Sequence, residues 1–322
     1  MARHITHGFA AALALLGPHA AAQEYPTKPI RFIVPFPAGG GTDVQARALA
    51  AQIGRSLGQN ILVDNRPGAN TMIGAEAVLR APADGYTLLF TGSSHVISPL
   101  VKSKMNFDVL KDFAPVARVG LSVLALSVHP SVPARNIKEL VALARARPGE
   151  LSFATASVLG GQRLATEQFF RQLAKVEVTS VPYNGGAPAS AAVVGGHNAI
   201  LVSNLSEATH QIRAGRLRGI AVMSPQRTEH LPEVPTIAES GWPGFEASNW
   251  YGALMRAGTP RPIIERLSVE TEKALHAGPM RENLAKMGFE PAYQNPNEFD
   301  QYMRDEMKRY AAVIQALNLR MD

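Results

Sequence analysis

A chain of 322 residues with 46% apolar residues, no cysteine and a formal net charge of +6 is too long for one compact core and is expected to form two domains. The absence of cysteine excludes disulfides and thiol catalysis. Lys and Arg are scattered, and the densest group, Arg213, Arg216 and Arg218, has no aromatic interleaving; the charge reads as a solvated basic surface with a general pull on anions, and no nucleic-acid partner is expected.

The chain opens with a weakly positive start (Arg3, His4, His7), an apolar run from Gly8 to Gly17, and Ala20-Ala21-Ala22 before Gln23. This order predicts an export signal over residues 1–22, with the mature chain starting near Gln23 and its charge falling to +5 (6 − 1, as Arg3 leaves). The run is much shorter than the roughly 20 residues that cross a bilayer, and no later stretch is long and apolar enough to do so. The absence of a cysteine after the signal excludes a lipid-anchored mature terminus.

Ile30 to Pro35 reads as a strand, followed by Gly39-Gly40-Gly41 and a helical pattern from Thr42-Asp43 through Leu57. Asn60 to Asp64 predicts a second strand, Ile73 to Arg80 a helix, and Gly85 to Thr91 a third strand ending in Gly92-Ser93-Ser94. The alternation resumes with a strand at 122–128, a helix at 137–146, a strand at 151–155, a helix at 162–173, a strand at 176–182, a helix at 188–194, a strand at 199–202 and a helix at 206–214. Strands at 218–223 and 251–255 and helices at 262–276, 279–287 and 297–317 complete the chain. The pattern predicts an α/β protein of two lobes, with two mostly parallel sheets flanked by helices. Residues 23–124 plus 225–322 would form the first lobe and 125–224 the second, joined by crossing strands near 122–128 and 218–224, an arrangement suited to hinge closure on a ligand.

In an open α/β sheet, ligands settle at the carboxyl ends of strands, where loops enter helices. The segment Pro35-Phe36-Pro37-Ala38-Gly39-Gly40-Gly41-Thr42-Asp43 stands at such an end. Its glycines let backbone N–H groups approach an anion, and the helix start adds a favourable dipole. No Lys-Ser/Thr follows the glycines, so the loop is not a nucleotide motif; the blander reading is a tight turn with Asp43 capping the helix. Gly68-Ala69-Asn70-Thr71 and Thr91-Gly92-Ser93-Ser94 end the next two strands on the same edge, where the hydroxyls of Thr71, Thr91 and Ser93 can donate to a carboxylate or to bridging water. Thr155-Ala156-Ser157 with Gly160-Gly161, Tyr183-Asn184-Gly185-Gly186 and Ser203-Asn204 repeat this logic in the second lobe. There Tyr183 and Asn204 are candidates for the far end of a ligand.

Taken together, Tyr25-Pro26-Thr27-Lys28-Pro29-Ile30, the Pro35 to Asp43 loop with Arg47, Asp84-Gly85-Tyr86-Thr87-Leu88, Val181-Pro182-Tyr183, Leu231-Pro232-Glu233-Val234-Pro235-Thr236 and Trp250-Tyr251-Gly252 resemble the Bug family, the periplasmic solute receptors of tripartite tricarboxylate transporters. The resemblance covers essentially the whole mature chain. It implies a Venus-flytrap binding protein of type II-like architecture that takes a small organic carboxylate, a di- or tricarboxylate or an aromatic acid, in the Gram-negative periplasm. Transporter membrane subunits would be its protein partner; no cofactor or metal is implied, and a monomer is expected. The residues implied to contact ligand are Phe36, Ala38, Gly39, Gly40, Asp43, Ala69, Asn70, Thr71, Thr91, Ser93, Thr155, Ala156, Ser157, Tyr183 and Asn204.

The second lobe departs from the family pattern. The family's Ser-x-Gly-x-Gly run followed by His-Leu is here Thr155-Ala156-Ser157-Val158-Leu159-Gly160 and then Arg163-Leu164. Likewise, Gly-Ala-x-Gly has become Gly68-Ala69-Asn70-Thr71, and the frequent Asp-Asn is Ser203-Asn204. Loss of that acid points away from an amine-bearing ligand, whose ammonium would lack a partner.

Two other classes compete. A secreted hydrolase would need a nucleophile, base or metal, yet there is no Gly-x-Ser-x-Gly elbow, and His95, His129, His197, His210, His230 and His276 show no metal-site pairing. His95 lies nearest the expected cleft and otherwise reads as a loop side chain. The same fold also serves as a periplasmic sensory module signalling to a membrane kinase; a DNA-binding regulator is excluded by a signal where a helix-turn-helix would stand.

Overall fold

The computed structural model describes residues 25–319 apart from 102–104, 159 and 287. The expected export signal and Leu159 lie outside the described residues. Among those described, no helix is long and apolar enough to cross a membrane.

The chain begins as a βαβαβ unit: β1 (Ile30–Val34), α1 (Gly41–Leu57), β2 (Ile61–Asn65), α2 (Met72–Arg80) and β3 (Thr87–Gly92). Helix α3 (Ser94–Val101) leads to β4 (Phe113–Val128), a strand of 16 residues. Then follow α4 (Ile137–Ala146), β5 (Ser152–Thr155), α5 (Gly161–Glu167), β6 (Thr179–Pro182), α6 (Gly186–Val194), β7 (Ile200–Asn204), α7 (Leu205–Arg213) and β8 (Arg218–Val222). Helix α5 continues as a π-helical stretch, Gln168–Leu173. The last elements are β9 (Ser248–Arg256), α8 (Arg261–His276), α9 (Gly278–Lys286), β10 (Phe289–Gln294) and α10 (Pro296–Ala316).

Strand order is β2-β1-β3-β9-β4-β7-β5-β6, with β8 and β10 also paired to β4. Residues Phe113–Val123 of β4 pair with β9, whereas Leu124–Val128 pair with β7 and β8. One strand therefore belongs to both lobes. Its register shifts between Pro115 and Ala117 and between Arg118 and Gly120, the bulges that let a central strand carry a proline and bend. The anticipated mostly parallel pairing holds in the outer units, β2-β1-β3 and β6-β5-β7. Around the shared strand every pairing is antiparallel, as is that of β3 with β9. Strand β8 lies wholly in the second sheet, so the return to the first sheet is made by residues 223–247, which lead into β9.

Each lobe has its own apolar interior. Phe153, Phe169, Phe170 and Phe245 anchor the second, where Phe169 meets Trp242 edge-on at 5.0 Å between ring centroids. In the first lobe, Phe32 and Phe90 lie under α1 and α8 on one face of the sheet. On the other face, Trp250 of β9 packs against Phe299 of α10. The carboxyl ends of β1 and β3 and those of β5, β6 and β7 thus point loops and helix starts toward the gap between the sheets, where ligands settle in open α/β folds.

Three elements differ from expectation. Helix α3 looks like loop in sequence because it begins in Gly-Ser-Ser, contains Pro99 and is buried on nearly every side, which removes the one-sided apolar stripe that marks a surface helix. The first half of β4 is hidden by Pro115, and β10, with Pro291, resembles an inter-helix connection.

Candidate functional site

A cavity of about 370 Å³ lies between the two sheets. Its first-lobe wall is Phe36 to Thr42 with Gly92, Ser93 and Ser94. Gly39 has φ of +81°, a left-handed turn that glycine adopts without a steric cost. Helix α1 starts at Gly41 with Gly40 as an N-cap that has no side-chain cap, so its orphan N–H groups are left for an acceptor. Asp43 fastens this loop from behind. Its Oδ2 accepts from the Gly39 N–H at 2.9 Å and from Arg47 Nε at 3.0 Å, and its Oδ1 accepts from Asn65 Nδ2 at 2.9 Å. Burial works against the Asp43 charge, but the bonds from Arg47, Gly39 and Asn65 outweigh it and hold the carboxyl below its usual range.

The second-lobe wall comprises Ala156, Ser157, Gly160 to Gln162, Asn184 to Pro188, Asn204 and Glu207, and Asn249 to Tyr251 of β9 close the floor. Helices α5 and α6 also start on glycine N-caps, Gly160 and Gly185, without side-chain caps. The starts of five helices, α1, α3, α5, α6 and α7, therefore border one cavity. Among the described residues, no basic side chain lines it.

Asn204 sits at the junction of the lobes. Its Oδ1 accepts from Gln162 Nε2 at 3.3 Å, Asn249 Nδ2 at 3.2 Å and Tyr251 OH at 3.4 Å. Three donors on one oxygen fix the amide orientation, and Nδ2 faces the α1 loop: a Cβ at Gly41 would stand 3.2 Å from it. Glu207, in the first turn of α7, lies beside the side-chain amide and the backbone N–H of Asn204, both of which favour its charged form. Burial nevertheless pushes its carboxyl up to about 7. Its Oε2 is buried and has no hydrogen-bond partner among the described residues. Burial, then the nearby Glu207 charge, pushes the Tyr251 phenol up as well, so that hydroxyl is a donor.

Of the fifteen residues expected at the ligand, eight line this cavity: Phe36, Ala38, Gly39, Gly40, Ser93, Ala156, Ser157 and Asn204. Seven do not. Asp43 is the staple behind the loop. Ala69, Asn70 and Thr71 form a run with φ of 46°, 53° and 74° off the cavity wall, where the Asn70 carbonyl accepts from the Ser98 hydroxyl at 3.0 Å. Thr91 pairs with Gly252 inside the sheet and is fully buried; only past the strand end, at Gly92 and Ser93, does the chain reach the cavity. The Thr155 hydroxyl is turned back onto Ser157 O at 2.7 Å, and Tyr183 OH donates to Asn198 Oδ1 at 2.6 Å. His95 is a core side chain of α3: its Nε2 lies 3.1 Å from Val109 O, its ring meets Phe113 edge-on, and burial lowers its pKa to about 4.

Glu207, Gln162 and the β9 residues Asn249 and Tyr251 escape a reading that follows strand ends. For Glu207 a signal exists: Asn204 three residues before an acid has the spacing of a capping box. No cluster of three His, Cys, Asp or Glu able to hold a metal occurs among the described residues.

Known proteins resemble this chain in sequence and fold. A family model described as tripartite tricarboxylate transporter family receptor matches residues 45–319. Protein BugT of Bordetella pertussis is 37% identical over 295 residues, covering 91% of this chain and 90% of its own. An R. palustris protein solved with adipate has a TM-score of 0.87 at 32% identity, covering 92% of this chain and 99% of its own. MatC from Rhodopseudomonas palustris, with bound malate, has a TM-score of 0.81 at 28% identity, covering 90% and 100%.

Proposed function

We propose, from the premise that the chain belongs to the tripartite tricarboxylate transporter receptor family, that it is a periplasmic receptor which closes around a small organic carboxylate and delivers it to the membrane subunits of a tripartite transporter. The observation that carries this reading is the cavity bordered by five helix starts and by no basic side chain among the described residues. Such a wall attracts an anion through oriented backbone N–H groups, which are rigid and preorganised. It does so without a fixed counter-charge that would hold the ligand against release. Structural neighbours that carry adipate and malate support the same ligand chemistry.

In this reading residues 25–123 with 248–319 move as one lobe and 124–247, whose Trp242 and Phe245 pack in the second-lobe core, as the other, flexing at the bulged β4 and where the chain enters β9. Carboxylate capture by the α1 loop comes first, and Asn204 then meets that loop as the lobes close. A thermal-shift screen of dicarboxylates, tricarboxylates, aromatic acids and amino acids tests it. A ligand at 100 times its Kd stabilises by about 2.7 kcal/mol, a shift of several degrees. If no carboxylate of any class raises the melting temperature, the reading fails.

A further inference from the structure

We propose that Glu207 selects a positively charged donor on the ligand, so that the cavity prefers a carboxylate bearing an ammonium group to the same carboxylate without one. The inference deepens the receptor reading and rests on it. It also reverses the expectation drawn from Ser203: the acid missing there is supplied one helical turn later, from α7.

Among the described residues, the cavity wall contains one acidic side chain, at Glu207, and no basic one. Helix capping is one use for that carboxylate. As the third residue of α7 it reaches back to the Asn204 N–H, the reciprocal bond of a capping box. Glu298 does the same work for α10, accepting from the Asn295 N–H at 3.0 Å, but it does so near the protein surface. Capping therefore needs no burial. Glu207 performs it on the wall of the cavity, with Oε2 left over and buried without a partner among the described residues.

An unpaired buried charge is costly unless something compensates it, and an ammonium brought in by the ligand is the complementary group. A second carboxylate at that position would face a like charge and require a proton to bind. The packing keeps the acid in place and leaves it unscreened by carbon: a Cβ at Gly186 would stand 2.5 Å from both Glu207 oxygens, so α6 can approach them only because residue 186 is glycine. Asn204 orients the opposite side, since its Oδ1 is occupied by three donors and its amide nitrogen faces the carboxylate. The cavity is thus polarised, with helix starts for a carboxylate and Glu207 for a cation.

Isothermal titration calorimetry on the mature full-length chain at pH 8 tests the assignment with matched pairs: aspartate against succinate, glutamate against glutarate, phenylalanine against 3-phenylpropionate. In at least one pair the amino member is expected to bind tenfold or more tightly than its partner. Glu207→Gln should erase that preference, weakening the amino member at least tenfold while leaving the other unchanged or tighter. Should Glu207→Gln not fold, Glu207→Asp, which keeps the charge but withdraws it by one methylene, is expected to narrow the same ratio. Tighter binding of the des-amino members by the wild type overturns the Glu207 assignment and leaves the carboxylate reading standing. Equal weakening of both members by the variants overturns it too, in favour of capping alone. Failure of all three amino members to bind, while the thermal-shift screen finds another carboxylate that does, overturns the Glu207 assignment alone; failure of every carboxylate in that screen as well overturns both.

Discussion

The two walls of the cavity solve different problems. The first-lobe wall presents backbone: Ala38 to Thr42 and Gly92 offer N–H groups and small side chains, and the one acid nearby, Asp43, is turned away and neutralised by Arg47. The second-lobe wall presents functional side chains, Gln162, Asn204 and Glu207, and its acid has no cationic partner on the described cavity wall. A wall of backbone amides reads what all carboxylates share. A wall of side chains reads what distinguishes them. The two acids show the contrast in their titration, since Asp43 is held below its usual range and Glu207 is pushed above it.

The greatest damage is expected where the walls meet. Asn204→Leu strands the donors of Gln162, Asn249 and Tyr251 and removes the amide that faces Glu207. Burying several unpaired polar groups costs about 1–3 kcal/mol each; with partial relaxation the whole variant should lose about 3 kcal/mol, measured by urea unfolding. Affinity for every carboxylate, with or without an amine, should fall more than tenfold by calorimetry. A variant that kept its stability but lost only amino ligands would show that Asn204 belongs to the specificity wall alone.

Next comes Glu207→Gln, as a stability measurement without ligand. The folded carboxyl titrates near 7 against an ordinary value of 4.5, so ionising it costs more in the folded than in the unfolded chain. That cost is absent below about pH 4.5, builds as pH rises toward 7 and is complete above it. Each tenfold change in proton affinity is worth about 1.36 kcal/mol, and partial exposure reduces the effect. The substitution should therefore stabilise the protein by about 2 kcal/mol at pH 8 and by almost nothing at pH 4. Denaturant melts across that interval check the slope. A flat difference would mean that Glu207 stays ionised at no cost, and the contrast between the acids would vanish.

Asp43→Asn is the mirror experiment. Because the folded carboxyl is held low, its stabilisation is present above its ordinary value of 3.8 and is lost as pH falls below it. Replacing it should cost about 1.5 kcal/mol at pH 7, the worth of a charge-assisted hydrogen bond, and the wild type's advantage should shrink under acid. Binding should weaken through a looser α1 loop, equally for matched ligands. A change in the amino to des-amino ratio would move Asp43 from the shared wall to the selective one.

Legibility in the sequence follows the same division. The α1 loop can be read because prolines and glycines punctuate it, and turn chemistry is local. The outer βαβ units are equally plain from their alternating periods. Asp43 is expected at the ligand, and the structure places its carboxylate behind the loop; Arg47 four residues on is the sign of an i,i+4 pair that occupies it. Thr91, Thr155 and Tyr183 are expected at strand ends, yet one residue of pleat or one hydrogen bond turns each away. Glu207, Gln162 and Tyr251 reach the cavity only because helices and β9 are packed across the junction, a tertiary arrangement that no local pattern encodes. The long β4 is similarly nonlocal, since its two halves pair with different sheets.

The smallest effect isolates the backbone wall most cleanly. At Gly39, φ is +81° and a Cβ would meet no atom within 4 Å, so Gly39→Ala introduces no collision and costs only the strain of a left-handed alanine, about 1 kcal/mol. The loop can relieve that strain by rotating the Gly39 N–H off Asp43 or by shifting the neighbouring N–H groups that border the cavity. Either movement alters the carboxylate end of the site alone. Affinity should drop by up to about fivefold, the equivalent of about 1 kcal/mol, and by the same factor for an amino carboxylate and its des-amino partner, since both present the same group to this wall. A calorimetric ratio that changes in Gly39→Ala would mean that the two walls are coupled through ligand position, and that selection is shared across the cleft and not confined to the second lobe.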